Sequence, residues 1–426
     1  MSTDRGPGGA LPRLAVRYHP QAVAPLRVIA KGQGSWRTIW VVDRAVAGTD
    51  SSLQLLRRLG EVVDVTGKGP GDAARALAEL APDGIVALSD DQLESTALVA
   101  AEMGLPFHTA ETALRLNDKS AQRAALQAAG IPVPGNRAVR IPCGESLLRD
   151  VLDSVRFPAV LKPQSGAASR DTYRVADSPA LREALHAVEE RSGGADVDLV
   201  IEEYLPDGWP RRARPVADYV SVESVAGVDG ICPVAVTGKL PLAEAFRETG
   251  NFVPSTLQEP LLAQVLDLAE RAVRALGVRV GGLHTEIKLT SAGPRVIEVN
   301  GRLGGGGIPV AVERATGCSL LRAVADAAFG RPVSAGGPLP AEGVAFSFFV
   351  QPPTSARALA SVAGLTEASQ VTGVRDVTLN RRPGDLLDWR DGSQSYVVAV
   401  HGLAASHDHV QDIIGRVRRT LRVVYA

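Results

Sequence analysis

From Thr38 to Leu88 the chain alternates short apolar runs with helix-like stretches, and no other feature restricts its fold so strongly. "TIWVVD" has the unbroken apolar character of a buried strand. "SSLQLLRRLG" follows, with serines to cap a helix and a glycine to end it; then "EVVDVT", "DAARALAELAP" and "GIVAL" repeat strand, helix and strand. Strands in this rhythm run parallel, because each helix carries the chain back across the sheet, so the segment predicts a parallel sheet with helices on its faces. No G-x-G-x-x-G turn follows the first of these strands, which argues against a dinucleotide-binding dehydrogenase.

At 426 residues, 45% of them hydrophobic and with a net charge of −1, the chain predicts roughly two to four ordinary globular domains. Binding a phosphate backbone takes a basic surface. The 46 Lys plus Arg are balanced by 47 Asp plus Glu, so no nucleic-acid partner is expected, and "RRAR" at 211–214 reads as a solvated loop. Cys143, Cys232 and Cys318 are too few and scattered for a disulfide framework or a zinc site and fit a reducing compartment, the cytoplasm. "MSTDRGPGGALPR" has no apolar signal region, and no stretch of about 18 apolar residues follows, so neither secretion nor membrane spanning is expected. Residues 1–12 read as a loose tail, 1–35 as a tail with a leading segment, and 36–117 as a Rossmann-like domain.

Beyond 117 the chemistry-bearing residues begin. In "LNDKSAQRAALQAAGIPVP", Asn117 or Asp118 caps a helix from Lys119 to about Ala129, which Gly130 and the prolines end. "FPAVLKPQSGAASRDTYRV" gives a strand through Lys162, a small-residue loop from Ser165 to Ser169, and a return strand. "DVDLVIEEYLPDG" ends a strand in Glu202 and Glu203, "DYVSVESVAGVDGICPVAVTGKL" is a hairpin about Val-Asp-Gly, and a helix spans about 260–276. "SAGGPLPAEG" after 333 reads as a linker, followed by strand-like "VAFSFFV", "DVTLN" and "SYVVAVHGL" and an amphipathic helix at about 406–422.

The stretch "GLHTEIKLTSAGPRVIEVNGRLG" reads as two strands joined by the three residues Ser291, Ala292 and Gly293, which puts Glu286 opposite Glu298, give or take one place. Alternation places Glu298, Asn300 and Arg302 on one face. Facing carboxylates repel, and a hard divalent cation absorbs that cost; magnesium favours one or two carboxylates plus substrate phosphates, and Asn300 adds an oxygen. The alternative is an exposed hairpin on which Lys288 and Arg302 neutralise both glutamates. Lys119 and Lys162 offer point charges for phosphates, and the loop bounded by Ser165 and Ser169 could close over them with backbone N–H groups. Glu202 and Glu203, followed by Tyr204 and Leu205, could grip an adenine amino group through one carboxylate and the intervening backbone. The glycines 304–307 after Arg302 would leave backbone exposed, so that a substrate approaches closely at Gly305 and Gly306 in a roomy pocket.

In this order the motifs "NDKSAQRAALQAAGIPVP", "FPAVLKPQSGAAS", "VIEEYLPDG", "GLHTEIKL" and "VIEVNGRLGGG" resemble the ATP-grasp superfamily, and within it the carboxylate-amine ligases of the L-amino-acid (dipeptide) type, over roughly 36–426. The resemblance implies an α/β and α+β multidomain protein: a Rossmann-like pre-ATP-grasp domain, an ATP-grasp domain over 118–335 (118–240 with the ATP-covering part, 241–335 with the metal hairpin) and a small C-terminal α+β domain over 336–426. It implies ATP and Mg2+, with Mn2+ as a substitute, and small carboxylate and amine substrates; related ligases are often homodimers. Lys119 and Lys162 would hold the phosphates and Glu202 the adenine N6 group, with Glu203 and Leu205 giving backbone contacts. Glu286, Glu298 and Asn300 would hold the metal, and Arg302 would stabilise an acyl-phosphate; His284 matches the family H-T-E without a fixed role. A purine-pathway or carboxylating ligase is the rival enzyme, though no biotinyl-lysine motif is present. A nucleotide-binding module without turnover is the rival outside catalysis, and the loops 89–95 and 246–257 are the candidates for substrate choice.

Overall fold

The computed structural model describes residues 10–206, 216–333 and 337–426. The "RRAR" run, most of the expected tail and the start of the expected linker lie outside them. Four parallel strands form the first sheet, in the order Glu61–Asp64, Arg37–Val42, Arg13–Arg17, Gly84–Ala87. The sheet thus begins inside the segment expected to lead into it. "RLAVR" shows only three apolar residues between arginines, yet it pairs on both sides and Leu14, Ala15 and Val16 are buried.

A second, antiparallel sheet runs Asn136–Ile141, Val197–Glu203, Ala159–Pro163, Tyr173–Val175. Helices Glu145–Ser154 and Ser178–Arg191 share a core with it through Val151, Leu161, Leu185 and Leu199. Its register places Val160 opposite Glu202 and Lys162 opposite Val200, so Lys162 and Glu202 are diagonal neighbours on one face.

The third sheet has eight strands, in the order Gly293–Asn300, Gly281–Thr290, Tyr219–Gly227, Gly230–Lys239, Gly250–Val253, Val344–Val350, Val398–Ala404, Val374–Leu379. The last three belong to the stretch expected as a separate C-terminal domain. They continue the sheet of the hairpin instead, because Gly250–Val253 pairs with Phe348–Ala345. Among the described residues of that stretch, the ribbon of Leu359–Ala363 with Arg422–Tyr425 stands outside it. Helix Leu261–Ala275 packs on this sheet, with Leu268 and Val273 against Val222, Leu283 and Val296. Among the described residues no helix is long and apolar enough to cross a membrane.

Candidate active site

The hairpin does bring Glu286 opposite Glu298, by two departures that cancel. Thr290 pairs with Gly293, so the connection has two residues and not the expected three. That shifts the register by one, and a bulge at Ile297 shifts it back, since Ile287 pairs with Val296 while Glu286 pairs with Glu298. The bulge also inverts the alternation. Val296, which a regular strand would place beside Glu298, is fully buried in the core, while Glu298 and Asn300 line a cleft with His284 and Glu286. The strand ends at Asn300, so Arg302 reaches the cleft from the following bend rather than from the shared face.

Helix Lys119–Ala128 fixes this bulge. Asp118 caps it by accepting from Ala121 N at 2.8 Å. Gln122 bonds both Val299 N and Val299 O at 2.8 Å, and Arg123 donates to the carbonyl of Ile297. The same Arg123 lies 2.8 Å from Glu202 Oε1, while Lys162 Nζ is 2.7 Å from Oε2. Burial alone would raise the pKa of Glu202; Lys162 and Arg123 outweigh it and hold the carboxylate charged. Glu202 is therefore engaged by two cations, one on each oxygen, and would share its carboxylate between them and any adenine amino group. Glu203 is engaged as well, by Arg295 at 3.2 Å and by Gly135 N at 3.2 Å.

Lys119 stands 3.0 Å from Glu298 and donates to Gly166 O at 3.0 Å. The cations that could have neutralised an exposed hairpin lie elsewhere: Lys288 is 2.7 Å from Asp218 and Arg302 Nε 2.6 Å from Asp90. Glu286 meets His284, whose Nε2 is 3.2 Å away while its Nδ1 is 2.9 Å from Glu223. Burial alone would lower His284, but the charge and hydrogen bonds of Glu223, with Glu286, push it up to about 9. Burial would likewise raise Glu286, yet the hydrogen bond and charge of His284, helped by Lys239, hold it down at about 2. The ring is an imidazolium between two carboxylates.

The glycine run divides by position. A Cβ on Gly305 would meet nothing within 4 Å, whereas one on Gly304 would lie 2.8 Å from His284 Nδ1 and one on Gly307 2.8 Å from His401. Gly306 has φ +57° and its carbonyl accepts from Asn251 Nδ2 at 2.9 Å. Close approach to bare backbone is thus confined to Gly305; the neighbouring glycines fill tight contacts. The loop 165–171 docks on the C-terminal segment, with Ser393 N donating to Ala168 O at 2.7 Å and Asp171 N to Arg390 O at 3.0 Å.

All the residues singled out in the sequence line one cleft of ≈ 2680 Å³, and the loops 89–95 and 246–257 reach it too. Sequence reading missed Arg123, Gln122, Glu223 and, individually, Asp90. Glu223 carried a signal: Ser221 and Glu223 alternate with Val220 and Val222 in a strand. Among the described residues no three His, Cys, Asp or Glu side chains stand together to cage a metal. Two carboxylates and an amide oxygen at one end of the cleft instead suit a hard divalent ion that draws its remaining oxygens from a bound nucleotide.

Residues 116–306 match the ATP-grasp domain family. They form an ATP-grasp domain. The chain is similar to an uncharacterised protein of Sinorhizobium fredii, 27% identical over 77% of this chain and 66% of that protein. It is also similar to the alanine–anticapsin ligase of Bacillus subtilis, 25% identical over 53% of this chain and 49% of the ligase. The chain therefore spans less than two thirds of either relative. A solved L-amino acid ligase from Bacillus licheniformis superposes with a TM-score of 0.77 over 97% of this chain and 99% of that one at 21% identity, a likeness of fold.

Proposed function

We infer that the protein is an ATP- and Mg2+-dependent carboxylate-amine ligase that forms an amide through an acyl-phosphate and releases ADP and phosphate. The observation that carries this reading is the facing pair Glu286 and Glu298, set in one cleft with Lys119, Lys162 and Arg302. Glu286, Glu298 and Asn300 would hold the metal, which when bound neutralises phosphate charge; Mn2+ would serve in its place. Lys119 and Lys162 would hold the phosphates, and the backbone between Ser165 and Ser169, which lines the same cleft, would cover them. The base would lie along Glu203, Tyr204 and Leu205 and be met there by backbone.

In the first step an oxygen of the substrate carboxylate bonds to the γ-phosphorus as the bond to the ADP oxygen breaks. In the second an amine nitrogen bonds to the acyl carbon, phosphate leaves, and the amine gives up a proton. Arg302 neutralises the acyl-phosphate and then the tetrahedral oxyanion. Its fixed guanidinium suits both, because it changes neither protonation state nor position between the steps. We place the reaction in the cytoplasm, in keeping with three free cysteines.

The test is ADP and phosphate release from ATP across pairs of amino acids and other acids and amines, with mass spectrometry of the condensed product. Release that needs both partners, stops on chelation and is lost in E286Q is expected. ATP turnover indifferent to every acid and amine would overturn the reading.

A further inference from the structure

On the cleft floor every buried cation has a carboxylate beside it: Lys119 with Glu298, Lys162 with Glu202, Arg302 with Asp90. The wall beyond the glycine run is different. Arg27, on helix Pro25–Gly32, and Arg314, on helix Ile308–Thr316, line the same cleft, and among the described residues neither has a carboxylate at ion-pair distance. Arg314 lies one turn after Val310, which also lines the cleft, so it faces inward; it is half-buried.

The two arginines converge on one place. The charges of both bear on the ring of His401, and those of Arg27 and Arg375 bear on Arg314. His401 lies against Gly307, with Ser347 Oγ 2.8 Å from its Nδ1, so the basic wall begins where the glycine run ends. Asp376 lines the same cleft, exerts the largest single charge effect on Arg314 and His401, and accepts from Thr378; like Arg27 it is exposed, so one carboxylate offsets only part of the charge of Arg27, Arg314 and Arg375. Like charges facing one cavity repel one another, and an anion between them removes that repulsion while gaining charge-assisted hydrogen bonds.

This inference rests on the ligase reading. The activated carboxylate belongs at Arg302 and the metal residues, so an anionic group beyond the glycines is carried by the other reactant. We propose that the acceptor is an amino dicarboxylate, with its acidic groups held by Arg27 and Arg314 while its amine points back past Gly305 to the acyl carbon. Two guanidiniums match two carboxylates, whereas an acceptor with a neutral side chain would leave one arginine unmatched.

Hydroxylamine separates the two readings, because it traps an acyl-phosphate as a hydroxamate without needing the acceptor wall. A panel of acids with ATP, Mg2+ and hydroxylamine identifies the activated acid. With that acid, glutamate and aspartate are then compared with glutamine and asparagine as acceptors. A KM about ten- to a hundredfold lower for the acidic member of each pair is expected. In R314Q and R27Q the ratio should fall towards one, while R314K should keep part of it; a misfolded variant would lose both acceptors alike. Equal use of acids and amides, use of neither, or a ratio untouched by both variants overturns the proposal while the hydroxamate stands. No hydroxamate with any acid overturns the ligase reading and this inference with it.

Discussion

Asp90 holds Arg302 by its Nε, and the Leu303 carbonyl accepts from Nη1 at 3.0 Å. Burial alone would lower the pKa of this guanidinium, but Asp90 and the hairpin glutamates hold it up, so its charge is permanent and its orientation fixed. A lysine cannot keep both bonds. R302K should lower kcat by about a hundredfold and D90N by about tenfold, with a much smaller change in the KM for ATP, measured as acid-dependent ADP release. The glycines provide a test of packing. Gly305→Ala should change unfolding free energy by no more than about 0.5 kcal/mol. Gly304→Ala, driven into His284 and Glu223, should cost about 1–3 kcal/mol, both read from denaturant titration.

Among the elements, helix Lys119–Ala128 does three tasks: its cap aims Lys119, its second turn clamps the bulge, and Arg123 joins the hairpin to Glu202. D118A should therefore lower stability by about 1 kcal/mol and raise the KM for ATP, where loss of an ordinary surface cap would do only the first. Reading the sequence locates this helix and its cap, the parallel sheet and the Val-Asp-Gly hairpin, because each rests on local spacing or on turn residues; the glutamate pairing agrees only because the shorter turn and the bulge offset each other. The bulge stays hidden because Ile297 is as apolar as Val296 and Val299, and alternation cannot say which of them is skipped. The first strand hides for a related reason, since three apolar residues between arginines resemble any loop. Asp90 and Arg302 are 212 residues apart, and no local pattern joins them.

Across the whole molecule, stability depends on pH in part through His108, buried where the first sheet's helices meet Gly281 of the third; His284, raised to about 9, acts in the opposite sense. Burial pushes its pKa from 6.5 down to about 4. A folded histidine that refuses a proton which the unfolded chain accepts destabilises as pH falls: the loss begins near 6.5 and is complete near 4. It amounts to about 3 kcal/mol. Chemical denaturation at pH 7 and pH 5 should show part of this, and H108Q should flatten the slope if the variant folds. An unchanged slope would mean that the folded and unfolded chains protonate His108 alike.

The eight-stranded sheet limits how relatives can be recombined. Gly250–Val253 has Lys239 and Gly238 on one side and Val344–Val350 on the other. A chimera cut at the 336 boundary would leave that strand as a raw edge, with its ladder groups open to any passing chain. Grafting a foreign tail requires matching the inherited register from Ala345 to Phe348. Acceptor preference is therefore better transplanted by exchanging single side chains on the wall than by swapping the terminal third.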